Sequence, residues 1–220
     1  MLKKSIELHL NILDENRLAV FKRLQRYKRY GYLAGGTALA LQIGHRISYD
    51  FDVFCNKKLT DSLINNCRKD FAISQVLVNS EDEFTFLTKE QVKITFLYYP
   101  FVFHGKTIET KISLPLLNVL NIATAKAYAL NRRGSWRDYV DLYFIMQNKL
   151  ADLQSIIDNG NKVYGELFSP KLFLGQLVYL DDIRKEERDS INFVSGNISE
   201  KKIKEYFESA VKLIIADFNR

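Results

Sequence analysis

The residues best suited to chemistry lie in one run, LAGGTALALQIGHRISYDFDVF, from Leu33 to Phe54. From Tyr49 to Val53 the run alternates between apolar residues and aspartates, and on a strand residues i and i+2 share a face. Asp50 and Asp52 therefore project together, while Tyr49, Phe51 and Val53 point the other way. Two neighbouring carboxylates on an apolar strand repel one another and are costly to desolvate, so a cation must offset them. Mg²⁺ or Mn²⁺ fits, because such an ion takes one or two carboxylates and completes its shell with water and nucleotide phosphates. Arg46, four residues earlier, is the competing partner, which would make the pair a structural ion pair.

Upstream, Gly35 and Gly36 stand between a strand-like stretch, Tyr32-Leu33-Ala34, and a short helical one. Adjacent glycines allow positive φ and close backbone approach. The amides of Gly36 and Thr37 then face outward at a helix start, as a phosphate cradle does. Neither a Gly-Lys-Ser/Thr loop nor GxGxxG is present.

The elements that must position these residues follow from periodicity and caps. Helices are expected over 15–30, 37–42 and 60–70, and strands over 32–34, 49–55, 73–78, 84–87, 92–98 and 107–109. From Leu116 onward the spacing is helical, over 116–132, 135–148, 151–159, 170–181 and 199–217. This order predicts an α+β fold, a small mixed sheet with flanking helices over residues 1–112, followed by a helical half over 113–220. A ligand site between the halves is the natural expectation.

Composition narrows the class. The 220 residues are 47% apolar and 26% charged, which describes an ordinary globular chain rather than a disordered one. Two cysteines without a CxxC pair argue against a disulfide framework or a structural zinc site. No leader or membrane-length apolar segment is visible, so a cytoplasmic protein is expected. Basic residues exceed acidic ones by 32 to 26, and residues 1–30 carry eight Lys/Arg against three Asp/Glu. Lys22, Arg26 and Arg29 would line one helix face, either as solvated surface or as a footprint for a polyanion such as RNA. His45 and His104 have no third ligand in pattern.

Gly-Gly at a helix start, followed closely by D-x-D on a strand, resembles the polymerase-β-like nucleotidyltransferases. GGTALALQIGHRISYDFDVF is similar to the first motif of the AbiEii/AbiGii toxin family within that superfamily. A second block agrees with its later motif: Lys126-Ala-Tyr-Ala-Leu-Asn-Arg-Arg133, then Gly134-Ser-Trp-Arg137-Asp138-Tyr-Val-Asp141-Leu-Tyr-Phe144. The resemblance spans about residues 30–146.

It implies a Mg²⁺-dependent transfer of NMP from an NTP to an acceptor. RNA or a tRNA end is the first choice of acceptor, and a cognate antitoxin is implied as partner. Asp50 and Asp52 would bind metal and act in catalysis with Lys126 and Asp138, while Asp141 orients the site. Gly35, Gly36, Thr37, Arg46, Ser48, Lys126 and Arg137 would bind the nucleotide. The family pattern also implies a third carboxylate on a later strand, and the matching position holds Thr95. A threonine hydroxyl is no general base near neutral pH. Asp82, Glu83, Glu109 or Asp138 remains for that role; the alternative is a nucleotide-binding regulatory or interaction protein with weakened turnover.

Overall fold

The computed structural model describes residues 7–105, 107–181, 183–194 and 196–218. They fall into two compact units, one ending at Asn118 and one beginning at Val119.

In the first unit, α1 (Glu15–Arg23) starts at Asp14, whose carboxylate accepts from the Arg17 amide at 2.8 Å. The expected helix over 15–30 stops at Arg23 and tightens into a 3₁₀ turn over Leu24–Tyr27, a common way for a helix to end before a reversal. The change of pitch takes Arg26 and Arg29 off the face of Lys22. Arg26 instead pairs with Asp70, and the Arg29 guanidinium lies 4.7 Å from the Tyr30 ring centre.

The chain continues through β1 (Gly31–Ala34), α2 (Gly35–Ile43), β2 (Phe51–Cys55), α3 (Asp61–Asp70), β3 (Ile73–Asn79), β4 (Glu83–Thr88) and β5 (Lys93–Tyr98). Thr60 caps α3, its hydroxyl accepting from the Leu63 amide at 3.3 Å. The strands form one sheet in the order β1-β2-β5-β4-β3. Only β2 and β5 are parallel; the other neighbours are antiparallel. Alternation sends Phe51, Val53, Phe84, Phe86, Ile94 and Phe96 to a buried face. There Phe51 meets Phe21 of α1, and Phe96 meets Tyr27. The opposite face carries Asp50, Asp52, Lys93 and Thr95. β3 is an edge strand on which Val76, Leu77 and Val78 are all exposed.

The expected strand over 107–109 reduces to a single bridge between Ile108 and Leu116. Leu116 also bridges Leu33, and the Leu33 amide donates to the Pro115 carbonyl at 2.9 Å. These bonds keep the stretch after residue 112 with the sheet, so the division falls after Asn118.

The second unit is helical: α4 (Val119–Leu130), α5 (Trp136–Gln147), α6 (Leu153–Tyr164), α7 (Pro170–Val178), α8 (Lys185–Asp189) and α9 (Glu200–Phe218). Tyr139, Phe173 and Phe207 are fully buried at its centre. Helix α4 ends before Arg133, so Lys126 and Arg133 do not share a helical face. Helix α6 runs past the expected end at 159, and there the Asn159 amide donates to Asn121 Oδ1 at 2.9 Å and Thr124 Oγ1 at 2.8 Å. Among the described residues, no helix is long and apolar enough to cross a membrane.

Candidate functional site

Helix α2 begins directly after β1, and the junction is the glycine pair. Gly35 has φ +67°, and a Cβ there would sit 2.5 Å from Asp52 Oδ2. Left-handed backbone and van der Waals closeness both require glycine at this point. A Cβ on Gly36 would run into the Arg46 guanidinium and lie 3.3 Å from Ser48 Oγ. The β1–α2 turn is therefore folded against Asp52 on one side and against Arg46 and Ser48 on the other. No side chain caps the start of α2.

Thr37 holds the segment leading into β2. Its buried hydroxyl donates to the Asp50 carbonyl and is bonded to Ser48 Oγ at 2.8 Å. A hydroxyl has one proton, so Ser48 donates in return. From α1, Arg17 donates to the Ser48 carbonyl at 3.2 Å and lies 4.6 Å over the Tyr49 ring. Thr37 and Ser48 thus lock the loop with their side chains. Arg46 is buried at 4% exposure, with Nη1 donating to the Ile47 carbonyl at 3.1 Å. His45 is buried.

Asp50 and Asp52 share a face of the sheet, as the alternation requires. Lys93 on β5 lies on the same face, its Nζ 3.2 Å from Asp50 Oδ2. The ion-pair partner of Asp50 found here is therefore Lys93, from a strand that sequence spacing could not relate to it. Among the described residues, no three His, Cys, Asp or Glu side chains gather as a metal cage. A pair of carboxylates is nonetheless the protein-derived set that Mg²⁺ takes when phosphates supply the remaining ligands. The missing Cβ at Gly35 is what lets the β1–α2 turn close on the Asp52 carboxylate.

Thr95 is the register partner of Asp52 in the parallel pair, and Thr85 is in turn the partner of Thr95. Thr85 Oγ1 lies 2.6 Å from Glu83 Oε1 and 3.2 Å from Thr95 Oγ1.

The second unit holds the other expected residues. Lys126, at 8% exposure on α4, has its Nζ 2.7 Å from Asp138 Oδ1 and 2.6 Å from Asp141 Oδ2, both on α5. Their three-residue spacing puts both carboxylates on the face of α5 that meets Lys126. Arg137 is exposed in the first turn of the same helix. The start of α5 is capped by Glu187 of α8, whose Oε1 accepts from the Trp136 amide at 2.7 Å and from Ser135 Oγ at 3.0 Å. Helix α8 is absent from the sequence-based expectation; its acidic Lys185-Glu-Glu-Arg-Asp189 stretch has too little apolar periodicity to announce it.

A mixed sheet with a Gly-Gly turn set against D-x-D is the architecture of a nucleotidyltransferase. The fold is shared with MenT4, a nucleotidyltransferase toxin from Mycobacterium tuberculosis H37Rv (TM-score 0.62, 14% identity, 89% of this chain and 80% of that one). It is shared also with a protein of H. pylori described as a nucleotidyltransferase (TM-score 0.58, 16% identity, 100% and 98% covered). In sequence, the chain is 32% identical over 185 residues to an uncharacterized protein of Aquifex aeolicus (strain VF5), covering 81% of this chain and 88% of that protein. Residues 22–211 match the model of the nucleotidyl transferase AbiEii toxin family of type IV toxin–antitoxin systems, and the chain belongs to that family.

Proposed function

We propose that the protein is a divalent-cation-dependent nucleotidyltransferase that moves NMP from an NTP to a hydroxyl of RNA, a tRNA end first among RNAs, and that it acts as a toxin held in check by a cognate antitoxin. The observation that carries this reading is the packing of the Gly35-Gly36 turn against Asp52. It joins the phosphate-binding amides of α2 to the D-x-D carboxylates within one unit. Asp50 and Asp52 would hold Mg²⁺ or Mn²⁺, which supplies neutralisation of phosphate charge when bound.

This chain's own residues do the rest by position and charge. The Gly36 and Thr37 amides address the phosphates, with Gly35 setting the turn and Ser48 fixing the loop. Arg46 backs that turn with positive charge. In the second unit, Lys126, held by Asp138 and Asp141, and the exposed Arg137 are the residues the family resemblance assigns to nucleotide binding, with Lys126 and Asp138 assigned to catalysis. Both cysteines are free and buried, which suits a reducing cytoplasm.

The test is incubation with each α-labelled NTP, Mg²⁺ and total cellular RNA. Label should reach RNA with the wild type and not with Asp52→Asn of unchanged fold. Retained transfer by Asp52→Asn would remove the metal assignment. One observation favours a second reading, a nucleotide-binding regulatory protein without turnover: a hydroxyl, Thr95, is the register partner of Asp52. Mg²⁺-dependent NTP binding without any product would establish that reading.

A further inference from the structure

The face of the sheet that carries Asp52 holds a line of oxygen-bearing side chains crossing three strands: Asp52 on β2, Thr95 on β5, then Thr85 and Glu83 on β4. Register places Thr95 beside Asp52, at the spacing of adjacent strands, about 4.8 Å. Thr85 stands 3.2 Å from Thr95 Oγ1 and 2.6 Å from Glu83 Oε1.

The proton positions in this line are forced. An ionised carboxylate only accepts, so the single proton of Thr85 is donated to Glu83. The 3.2 Å contact then needs the Thr95 proton, which Thr95 donates to Thr85. With its proton committed away from β2, Thr95 Oγ1 can only accept at the edge of the Asp52 site. The group it suits is a hydroxyl that needs to lose a proton. Thr85 is buried at 5% exposure, which keeps competing water from the middle of the line.

We infer that Thr95, Thr85 and Glu83 form a proton relay that receives the proton of the acceptor hydroxyl during nucleotidyl transfer. The inference rests on the transferase reading above. In the step, the acceptor oxygen forms a bond to the α-phosphorus, and the bond from that phosphorus to the pyrophosphate oxygen breaks, its electron pair leaving with pyrophosphate. The acceptor proton passes to Thr95 Oγ1 as the Thr95 proton moves to Thr85 and the Thr85 proton to Glu83 Oε1. Thr95 is the group that touches the reacting hydroxyl; Thr85 and Glu83 act through it as positioning residues. The threonine beside Asp52 thereby reaches a carboxylate on the next strand, two strands from Asp52 itself.

The experiment measures apparent kcat and the KM for NTP, with α-labelled NTP, Mg²⁺ and total cellular RNA, for the wild type and for Thr95→Val, Thr95→Ser, Thr85→Val, Glu83→Gln and Asp52→Asn. Calorimetric binding of Mg²⁺–NTP and the thermal midpoint are recorded for each. Loss of a general base lowers rate by roughly 10²-fold or more. Thr95→Val, Thr85→Val and Glu83→Gln should each lose kcat on that scale, with KM and NTP affinity within about twofold. Thr95→Ser should recover most of the loss. Wild-type kcat in Thr95→Val beside an inactive Asp52→Asn overturns the relay and leaves the transferase reading standing. A loss that serine does not recover, or one expressed in KM, also overturns it. A wild type that labels nothing overturns the transferase reading and the relay together.

Discussion

Asp141 is wholly enclosed, yet its Oδ2 lies 2.6 Å from Lys126 Nζ, so a formal ion pair is buried in the helical unit. Removing one partner of such a pair leaves an uncompensated charge and costs about 3–5 kcal/mol. Asp138 still pairs the Lys126 ammonium in Asp141→Ala, so that variant should fall below this scale, losing about 1.5–3 kcal/mol for a hydrogen bond between charged groups, in denaturant unfolding followed by circular dichroism. Asp138 shares the same ammonium from a more open position, 15% exposed, and Asp138→Ala should cost less than half as much. Equal costs would mean that burial does not set the strength of the two pairs.

Gly35→Ala meets two obstacles, a positive φ and the Asp52 carboxylate. The left-handed backbone alone costs a non-glycine residue about 1–2 kcal/mol. Beyond this loss of stability, the displaced Asp52 should abolish Mg²⁺-dependent NTP binding in calorimetry. A folded Gly35→Ala protein with unchanged affinity would show that the turn does not need to touch Asp52.

Much of this arrangement is legible in the sequence because the residue types are unusual where they occur. A glycine pair at a strand–helix junction and alternating aspartates have few local interpretations, so the turn, β2 and the common face of Asp138 and Asp141 all follow from short-range spacing. Lys93 does not follow, because its approach to Asp50 depends on β2 pairing with β5, a non-local register that no local pattern encodes. The break in the first helix is hidden for a similar reason. Leu24 and Tyr27 keep helical spacing, while the pairing of Arg26 and Tyr27 with Asp70 of α3 fixes the end of the element. The strand expected at 107–109 is reduced to one bridge because its partner is not a strand but the short stretch at Leu116, which itself meets β1 only at Leu33.

If Asp50 holds a divalent cation as proposed, Lys93, whose Nζ lies 3.2 Å from Asp50 Oδ2, would compete with it. An exposed ion pair of this kind is worth up to about 1 kcal/mol. Lys93→Met should therefore tighten Mn²⁺ binding by roughly three- to fivefold, read by calorimetry or paramagnetic relaxation. Weaker binding in Lys93→Met would show that the metal does not use Asp50.

Burial pushes the thiols of Cys55 and Cys67 up to about 12, from an ordinary value near 9. Both stay protonated in the folded state at pH 8, so a disulfide reagent should react only as fast as the protein opens. The linkage sign follows from the raised values. Between about pH 9 and 12 the unfolded chain loses these protons while the native state keeps them, so stability should fall as pH rises through that window. It should be unaffected by these groups below it. Rapid stoichiometric labelling of the native protein at pH 8 would contradict this.

Glu187 supplies the cap that Ser135 does not give to α5. Loss of a helix cap costs about 1 kcal/mol. Glu187→Ala should lower stability by that amount and speed hydrogen exchange at the Trp136 amide. Unchanged exchange there would mean that the amide is protected by another group.

The parallel pairing of β2 with β5 also governs when the site can come into being. Everything from α3 through β4 lies between the two strands, so Asp52 and Thr95 become neighbours only after a long loop has closed, and contacts of large sequence separation form slowly. A partly synthesised chain that ends between Cys55 and Lys93 has its glycine turn and both aspartates but no β5 to lie beside them. Fragments released early would carry the motif without the assembled face.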